Sequence, residues 1–307
     1  METFKKWTIL VPELREHSLS YLGNKALFKY AQCSKLCNHE IQKCNTTAPR
    51  TAYLEELTNG HDGMVIRLEY DSWPRCNLFF AKIDERNYNL VRYREYLEKP
   101  EKYTILEGNA HEAALQYLAK RYKYVKIGKT KEIQLDCKNW QFQLEKVPAV
   151  YQAEKWIIKL YSSNYEKCMR ALKENQNIKE LEVRTDRGIP DEITLPSEFF
   201  KSKLFTQLDM GRFFLKSSIE DDDFLESRAS YLLLNCDTIT NNAINKKLQN
   251  WYDGEESNFW INFGTARMVN DVLSNLPFEQ ERNNEYRIRR PDGKIGTVYL
   301  SNRCVHF

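Results

Sequence analysis

From residue 131 onward the chain keeps returning to a short strand-like phrase. It recurs at residues 133–137, 157–161, 178–183, 205–210, 232–236 and 259–263. With Leu135, Leu160, Leu181, Leu208, Leu234 and Ile261 as anchors, the steps are 25, 21, 27, 26 and 27 residues. A period of about 20–29 residues with one strand and often one helix per repeat marks a stacked array. Each such unit leaves an apolar face bare until a neighbour covers it, so the units must stack. Several intervals supply amphipathic helices. Tyr165, Cys168, Met169 and Leu172 share one helical face, as do Val269, Val272, Leu273 and Leu276. Ile244, Leu248, Trp251 and Tyr252 form a third such set. These spacings predict a mostly parallel sheet with helices behind it. The period is loose and carries no Asn ladder, so the array is irregular, or another kind of stacked α/β array. A strand, the turn Pro291-Asp292-Gly293-Lys294 and a second strand over 295–300 are expected to close it. Pro presets φ at such a turn and Gly takes a positive φ.

The beginning of the chain reads differently. Pro12 suits a first helical turn, where its missing N–H costs nothing. Leu14, Tyr21 and Leu22 share a face, and Leu19 lies one turn from Leu22. Gly23-Asn24 is a helix stop, and Leu27, Tyr30 and Ala31 mark a second helix. Ser34 is placed to cap a third, which turns Cys37, Ile41 and Cys44 to one side. Three helices in about 40 residues bury too little apolar surface to fold well alone, so they must lean on their own chain or on a partner. Residues 45–62 are a polar connector. Alternation then predicts strands over 64–70, 78–83 and 88–93, and Asn109 caps a helix whose buried face is Ala110, Ala114, Tyr117, Leu118 and Tyr122.

Composition and motifs exclude most chemistry. Hydrophobic residues make up 42% and aromatic residues 13%, which argues for a folded chain. A formal charge of +3 makes no global case for nucleic acid or a membrane surface. No apolar run reaches the ~18 residues of a membrane span. The start, Met-Glu-Thr-Phe-Lys-Lys-Trp, has no apolar secretory core. The eight cysteines are thinly spread, so Cys137, Cys168 and Cys236 read as buried free thiols and the cytoplasm or nucleus fits best. Cys33, Cys37, His39 and Cys44 lack the spacing of a zinc site. No phosphate-cradling glycine loop, His-Glu-x-x-His or Gly-x-Ser-x-Gly occurs. Glu220-Asp221-Asp222-Asp223 has the residue types of a hard-cation site, but reads better as a solvated loop or a helix N-terminus, where carboxylates favour the dipole. The basic run from Lys120 to Lys131, with Tyr122 and Tyr124 interleaved, has the residue types of a phosphate-contacting, base-stacking surface, but also those of a helix C-terminus running into a loop. No cofactor, no metal and no catalytic residues are expected.

The first segment, residues 7–44, resembles the F-box, the module that docks proteins onto the Skp-type adaptor of a cullin ubiquitin ligase. The residues that carry this are Trp7, Leu10, Pro12, Leu14, then Leu19, Leu22 and Leu27, then Cys33-Ser34-Lys35. The family has Pro directly after Leu; here Val11 intervenes. Residues 131–305 resemble the associated domain of nematode F-box proteins. The matching phrases are Leu234-Asn235-Cys236, Trp251-Tyr252-Asp253-Gly254 and Ile288-Arg289-Arg290-Pro291-Asp292-Gly293-Lys294.

The expected architecture is therefore α/β: a three-helix F-box over 1–45, a connecting α/β segment over 46–127, and a leucine-rich-repeat-like strand–helix array over 128–307. The resemblance implies a substrate receptor. Leu10, Pro12, Leu14, Leu19, Leu22 and Leu27 would hold the adaptor and hence the cullin ligase. The strand face would take a protein target of unspecified identity. Side chains alternate along a strand, so Lys159, Tyr161, Glu180, Glu182, Gln207, Asp209, Leu233, Asn235, Trp260 and Asn262 are expected to point outward. Of these, Glu180, Glu182, Gln207, Asp209 and Trp260 are the target-binding candidates. Two other readings stay open: a stand-alone protein-binding scaffold whose first helices only cap the array, and a nucleic-acid binder using residues 120–131.

Overall fold

A computed structural model describes residues 46–47, 49–57, 63–70, 73–82, 87–94, 102–122, 125–127, 130–138, 147–185, 193–263 and 272–307. Residues 1–45, with the expected three-helix module, lie outside this set. The chain forms two compact units. One comprises residues 1–133 and 141–153, the other residues 134–140 and 154–307.

The first unit opens with β1 (Thr46–Thr47), β2 (Thr51–Leu57), β3 (Gly63–Tyr70), β4 (Trp73–Lys82), β5 (Asn87–Arg94) and β6 (Lys102–Glu107). Strands β2 to β6 are a continuous antiparallel meander. Leu54 faces Ile66 and Ile66 faces Leu78 across successive strands, and all three are buried. Helix α1 (Ala110–Tyr122) follows and packs on β3 and β4. Its first turn is held by Asn109, whose Oδ1 accepts from the backbone N–H groups of His111 and Glu112. Ala110, Ala114, Leu118 and Tyr122 form the buried stripe that the i, i+4 pattern predicts. Strand β7 (Val125–Ile127) pairs in parallel with β1. Strand β8 (Glu132–Asp136) and the short helix α2 (Pro148–Tyr151) complete the order up to residue 153.

The second unit continues with β9 (Lys155–Leu160), α3 (Tyr165–Glu174), β10 (Glu180–Thr185), β11 (Thr194–Leu195), α4 (Ser197–Phe200) and α5 (Lys203–Thr206). Then come β12 (Met210–Ser217), α6 (Asp221–Glu226), β13 (Tyr231–Asn235), α7 (Asn241–Tyr252) and β14 (Asn258–Asn262). It ends with β15 (Phe278–Arg282), β16 (Glu285–Arg289), β17 (Ile295–Leu300) and β18 (Cys304–His306). Strands β9, β10, β12, β13 and β14 are parallel neighbours in that order. Strand β18 then joins β14 antiparallel, and β17, β16 and β15 follow antiparallel. The sheet is therefore mixed.

Its inner face is a run of register-matched apolar side chains. Trp156, Leu181, Gly211, Leu232 and Phe259 are successive partners across β9 to β14. Gly211 is required for space: a Cβ there would lie 2.8 Å from the Phe213 ring and 2.9 Å from Leu232. Beside it Phe199, Phe200, Phe205 and Phe213 form a plug of rings, with Phe200 and Phe205 5.1 Å apart and edge-on. Buried Asn164 ties the start of α3 to the strands, its Nδ2 donating to the carbonyl of Cys137 at 2.8 Å and of Lys159 at 3.2 Å. Thr240 caps α7 by accepting from Ala243 N–H, and Ala243, Ile244, Leu248 and Trp251 are buried as the helical spacing requires. The predicted turn is present. Gly293 has φ +92°, and the N–H of Arg290 donates to Lys294 O at 2.8 Å.

These findings correct the expected fold class. The described residues form mostly β-structure, a meander in one unit and a mixed sheet in the other, and not a strand–helix array. Only α1, α3 and α7, of 13, 10 and 12 residues, reach ten residues among the described helices. The intervals leave room for helices, but α4, α5 and α6 use only 4, 4 and 6 residues of theirs. Aromatic side chains from these short turns fill the volume that longer helices were expected to fill. The anchors also fail to form one row. Leu208 is buried but precedes β12, and Leu160 faces Thr185, whereas Leu181 faces Trp156.

Candidate functional site

The outward positions of the second unit's sheet are set by the same alternation that fills its core. In β9 the residues Trp156, Ile158 and Leu160 point in, so Lys155, Ile157 and Lys159 point out. Continuing the register gives an outer row of Ile157, Glu182, Arg212, Leu233, Trp260 and His306, each beside the next.

Glu182 is second in this row, on β10, with only 7% of its side chain exposed. A carboxylate buried to that degree needs partners. Arg184 takes Oε1, and Arg212 takes Oε2 at 3.4 Å. Each guanidinium also lies over a ring. Arg184 is 5.8 Å from the centroid of Phe214, and Arg212 is 5.6 Å from that of Tyr231. Next to this network Lys155, Glu180, Leu181, Glu182, Met210 and Arg212 line a shallow open dimple with room for about one water molecule. Further along the row Trp260 stacks on His306, centroids 4.7 Å apart at 26°, and its Nε1 donates to Asn262 Oδ1. At the other end Tyr161 donates to Asp136, which also pairs with Lys159 at 3.4 Å. Burial, then the bond to Asp136, pushes the Tyr161 hydroxyl pKa well above the usual phenol range, so it stays protonated.

The target-binding candidates divide. Glu180, Glu182 and Trp260 share the outer face. Gln207 and Asp209 lie in the segment between α5 and β12, outside any strand. Gln207 Nε2 donates to the backbone oxygen of Gln176 at 2.7 Å, and the Asp209 N–H donates to Lys179 O at 2.8 Å. The adaptor-binding candidates Leu10, Pro12, Leu14, Leu19, Leu22 and Leu27 lie outside the described residues. Sequence reasoning missed Arg184, Arg212, Phe214, Tyr231 and His306. Arg184 was reachable, two residues from Glu182 on the same strand face. Arg212 and Phe214 were hidden by a strand placed too early, around Leu208.

Other motifs are accounted for structurally. Glu220-Asp221-Asp222-Asp223 begins α6, where Asp221 accepts from the N–H and the hydroxyl of Thr240. No group of three or more His, Cys, Asp or Glu side chains among the described residues could hold a metal ion. Cys137, Cys168 and Cys236 are buried and form no disulfide, and burial pushes the Cys168 thiol up to about 12. No helix among the described residues is long and apolar enough to cross a membrane. Residues of the basic stretch form the end of α1 and then β7, and the Tyr122 hydroxyl is hydrogen-bonded to Thr130 in a buried contact.

No family model matches the chain. No solved structure matches it. Among curated proteins it is similar to an uncharacterized F-box protein of Caenorhabditis elegans, 21% identical over an alignment 307 positions long, gaps included, which covers 94% of this chain and 74% of that protein.

Proposed function

We propose that this chain is the substrate-recognition subunit of an SCF-type cullin ubiquitin ligase. Residues 1–45 engage the Skp-type adaptor through Leu10, Pro12, Leu14, Leu19, Leu22 and Leu27. The outer strand face of the second unit captures a protein target. The observation that carries this reading is the extent of the likeness to the C. elegans F-box protein. The alignment leaves out only 6% of the chain, far less than residues 7–44. The order of the sequence phrases, an F-box-like start before the three later matches, supports it independently. On this reading the chain performs no bond chemistry. It raises the effective concentration of its target beside the ligase, in the cytoplasm or nucleus.

The test is co-purification with recombinant Skp-type adaptor. Wild type is expected to bind at micromolar concentration, and Pro12→Ala with Leu14→Ala is expected to abolish binding without altering the far-ultraviolet circular dichroism. Absence of wild-type binding overturns the receptor reading.

A further inference from the structure

We propose that the outer strand face binds an acidic peptide segment, with one carboxylate seated on the Arg184–Arg212 pair and an apolar or aromatic side chain laid against Trp260. This rests on the reading of that face as the target-capturing surface and names the chemistry of the target.

The first support is a charge imbalance fixed in place. Glu182 is one carboxylate between two guanidiniums, so one positive charge in the trio has no opposite. Glu182 is buried, yet the side chains of Arg184 and Arg212 are 56% and 36% exposed. A guanidinium carries five N–H donors, more than Glu182 uses. Phe214 and Tyr231 under the two groups limit their rotation. The pair is therefore held ready for a second anion at little ordering cost. Around it the excess persists. The outward charged side chains of β10 to β13 are Arg184, Arg212 and Lys216, against Glu180 and Glu182.

The second support is the apolar surface at a fixed distance. Arg212 faces Leu233, and Leu233 faces Trp260. Two strand spacings make ~10 Å, which an extended chain covers in about three residues. Trp260 and Phe214 are 37% and 47% exposed, large side chains left in water. Aromatic and arginine side chains dominate interface energies. A polynucleotide fits less well, since it would carry a phosphate at every residue past Glu180 and Glu182. A peptide places one carboxylate on the arginine pair and uncharged side chains over the rest.

The experiment displays a random-peptide library to the full-length chain, then measures the most enriched peptide by fluorescence anisotropy. Enriched sequences are expected to carry Asp or Glu about three residues from an aromatic residue or Leu, the spacing set by the strand separation. Binding should weaken at least tenfold for Trp260→Ala. It should weaken similarly for the combined Glu182→Gln, Arg184→Gln, Arg212→Gln variant, which keeps the buried site neutral and hydrogen-bonded. Replacing the acidic residue of the peptide by Lys should abolish binding. Trp260→Ala, at an exposed position, keeps the test decisive if the triple variant fails to fold. No enrichment, enrichment of basic or neutral peptides, equal binding to Trp260→Ala, or saturable binding of single-stranded oligouridylate in place of peptide would each overturn the proposal. Adaptor co-purification is scored separately. Its loss with peptide binding retained sinks the receptor reading alone, and the reverse result sinks this one alone.

Discussion

The ammonium of Lys247 donates to the backbone oxygen of Ser227 at 2.7 Å, and the same group reaches Leu225 O at 3.1 Å. Lys247 lies on the buried face of α7, and its two acceptors are at the C-terminal end of α6. A cation there meets carbonyls left without helical partners. Nζ is also 5.9 Å from the Phe224 ring centroid. One side chain thus joins two helices and closes the end of the shorter one.

Burial lowers the Lys247 pKa below the ordinary lysine value of 10.5. In the interval just below 10.5 the unfolded chain therefore binds more protons than the folded one, so stability contributed by this group rises with pH there. At neutral pH the full cost of burying the charge is present. Lys247→Met keeps the length and removes the donors, which should cost about 1–3 kcal/mol through two unpaired carbonyls. The gap between wild type and variant should widen as pH rises toward 10.5. Urea unfolding of both proteins at neutral and mildly alkaline pH measures it. A gap that narrows with pH would show that the carbonyls favour the Lys247 cation by more than burial opposes it, so that its pKa is not lowered.

Leu181→Ala and Leu208→Ala should each lower stability by about 2–5 kcal/mol, as truncations of buried leucines do. Both are 1% exposed, Leu181 inside β10 and Leu208 ahead of β12. Leu233→Ala, on the outer face of β13, should cost clearly less. Chemical denaturation of the three variants decides this. An unchanged midpoint for Leu208→Ala would mean that the segment before β12 is not packed into the core.

The pair of leucines also shows what the sequence could reveal. Short strand-like runs at 157–161 and 232–236 announced the strands found at 155–160 and 231–235, and a period of two, which is a local property, gave their faces. The helical stripe of α7 and the Pro-Asp-Gly turn were legible for the same reason. Register was not, since alternation says which face a residue takes but not which neighbour it meets. Leu208 kept the spacing of the anchors while the strand began two residues later, at Met210. That offset put Gln207 and Asp209 among the outward residues and concealed Arg212 and Phe214. The burial of Glu182 depends on Arg212, 30 residues away in the chain, so no local pattern announced it.

Gly296 should tolerate no side chain, for reasons of space. It sits in β17 opposite Ile288, and a Cβ there would lie 2.5 Å from the Phe307 ring and 2.8 Å from Trp251. Those two rings meet edge-on at 4.8 Å, and Arg290 covers Trp251 at 5.2 Å while pairing with Glu256 and Asp292. Phe307 is held from behind as well, by reciprocal backbone hydrogen bonds with Phe259 of 2.8 and 3.0 Å. The ring therefore has little freedom to retreat. Gly296→Ala should cost about 1–3 kcal/mol by overpacking. Thr297→Ala, at the exposed neighbouring position, should stay within about 0.5 kcal/mol of wild type. Adding Phe307→Leu to Gly296→Ala shortens the opposing ring and should recover part of the loss, a coupling expected only of residues in contact. If the two substitutions instead add, the methyl group is accommodated elsewhere and the ring pair does not set the requirement for glycine.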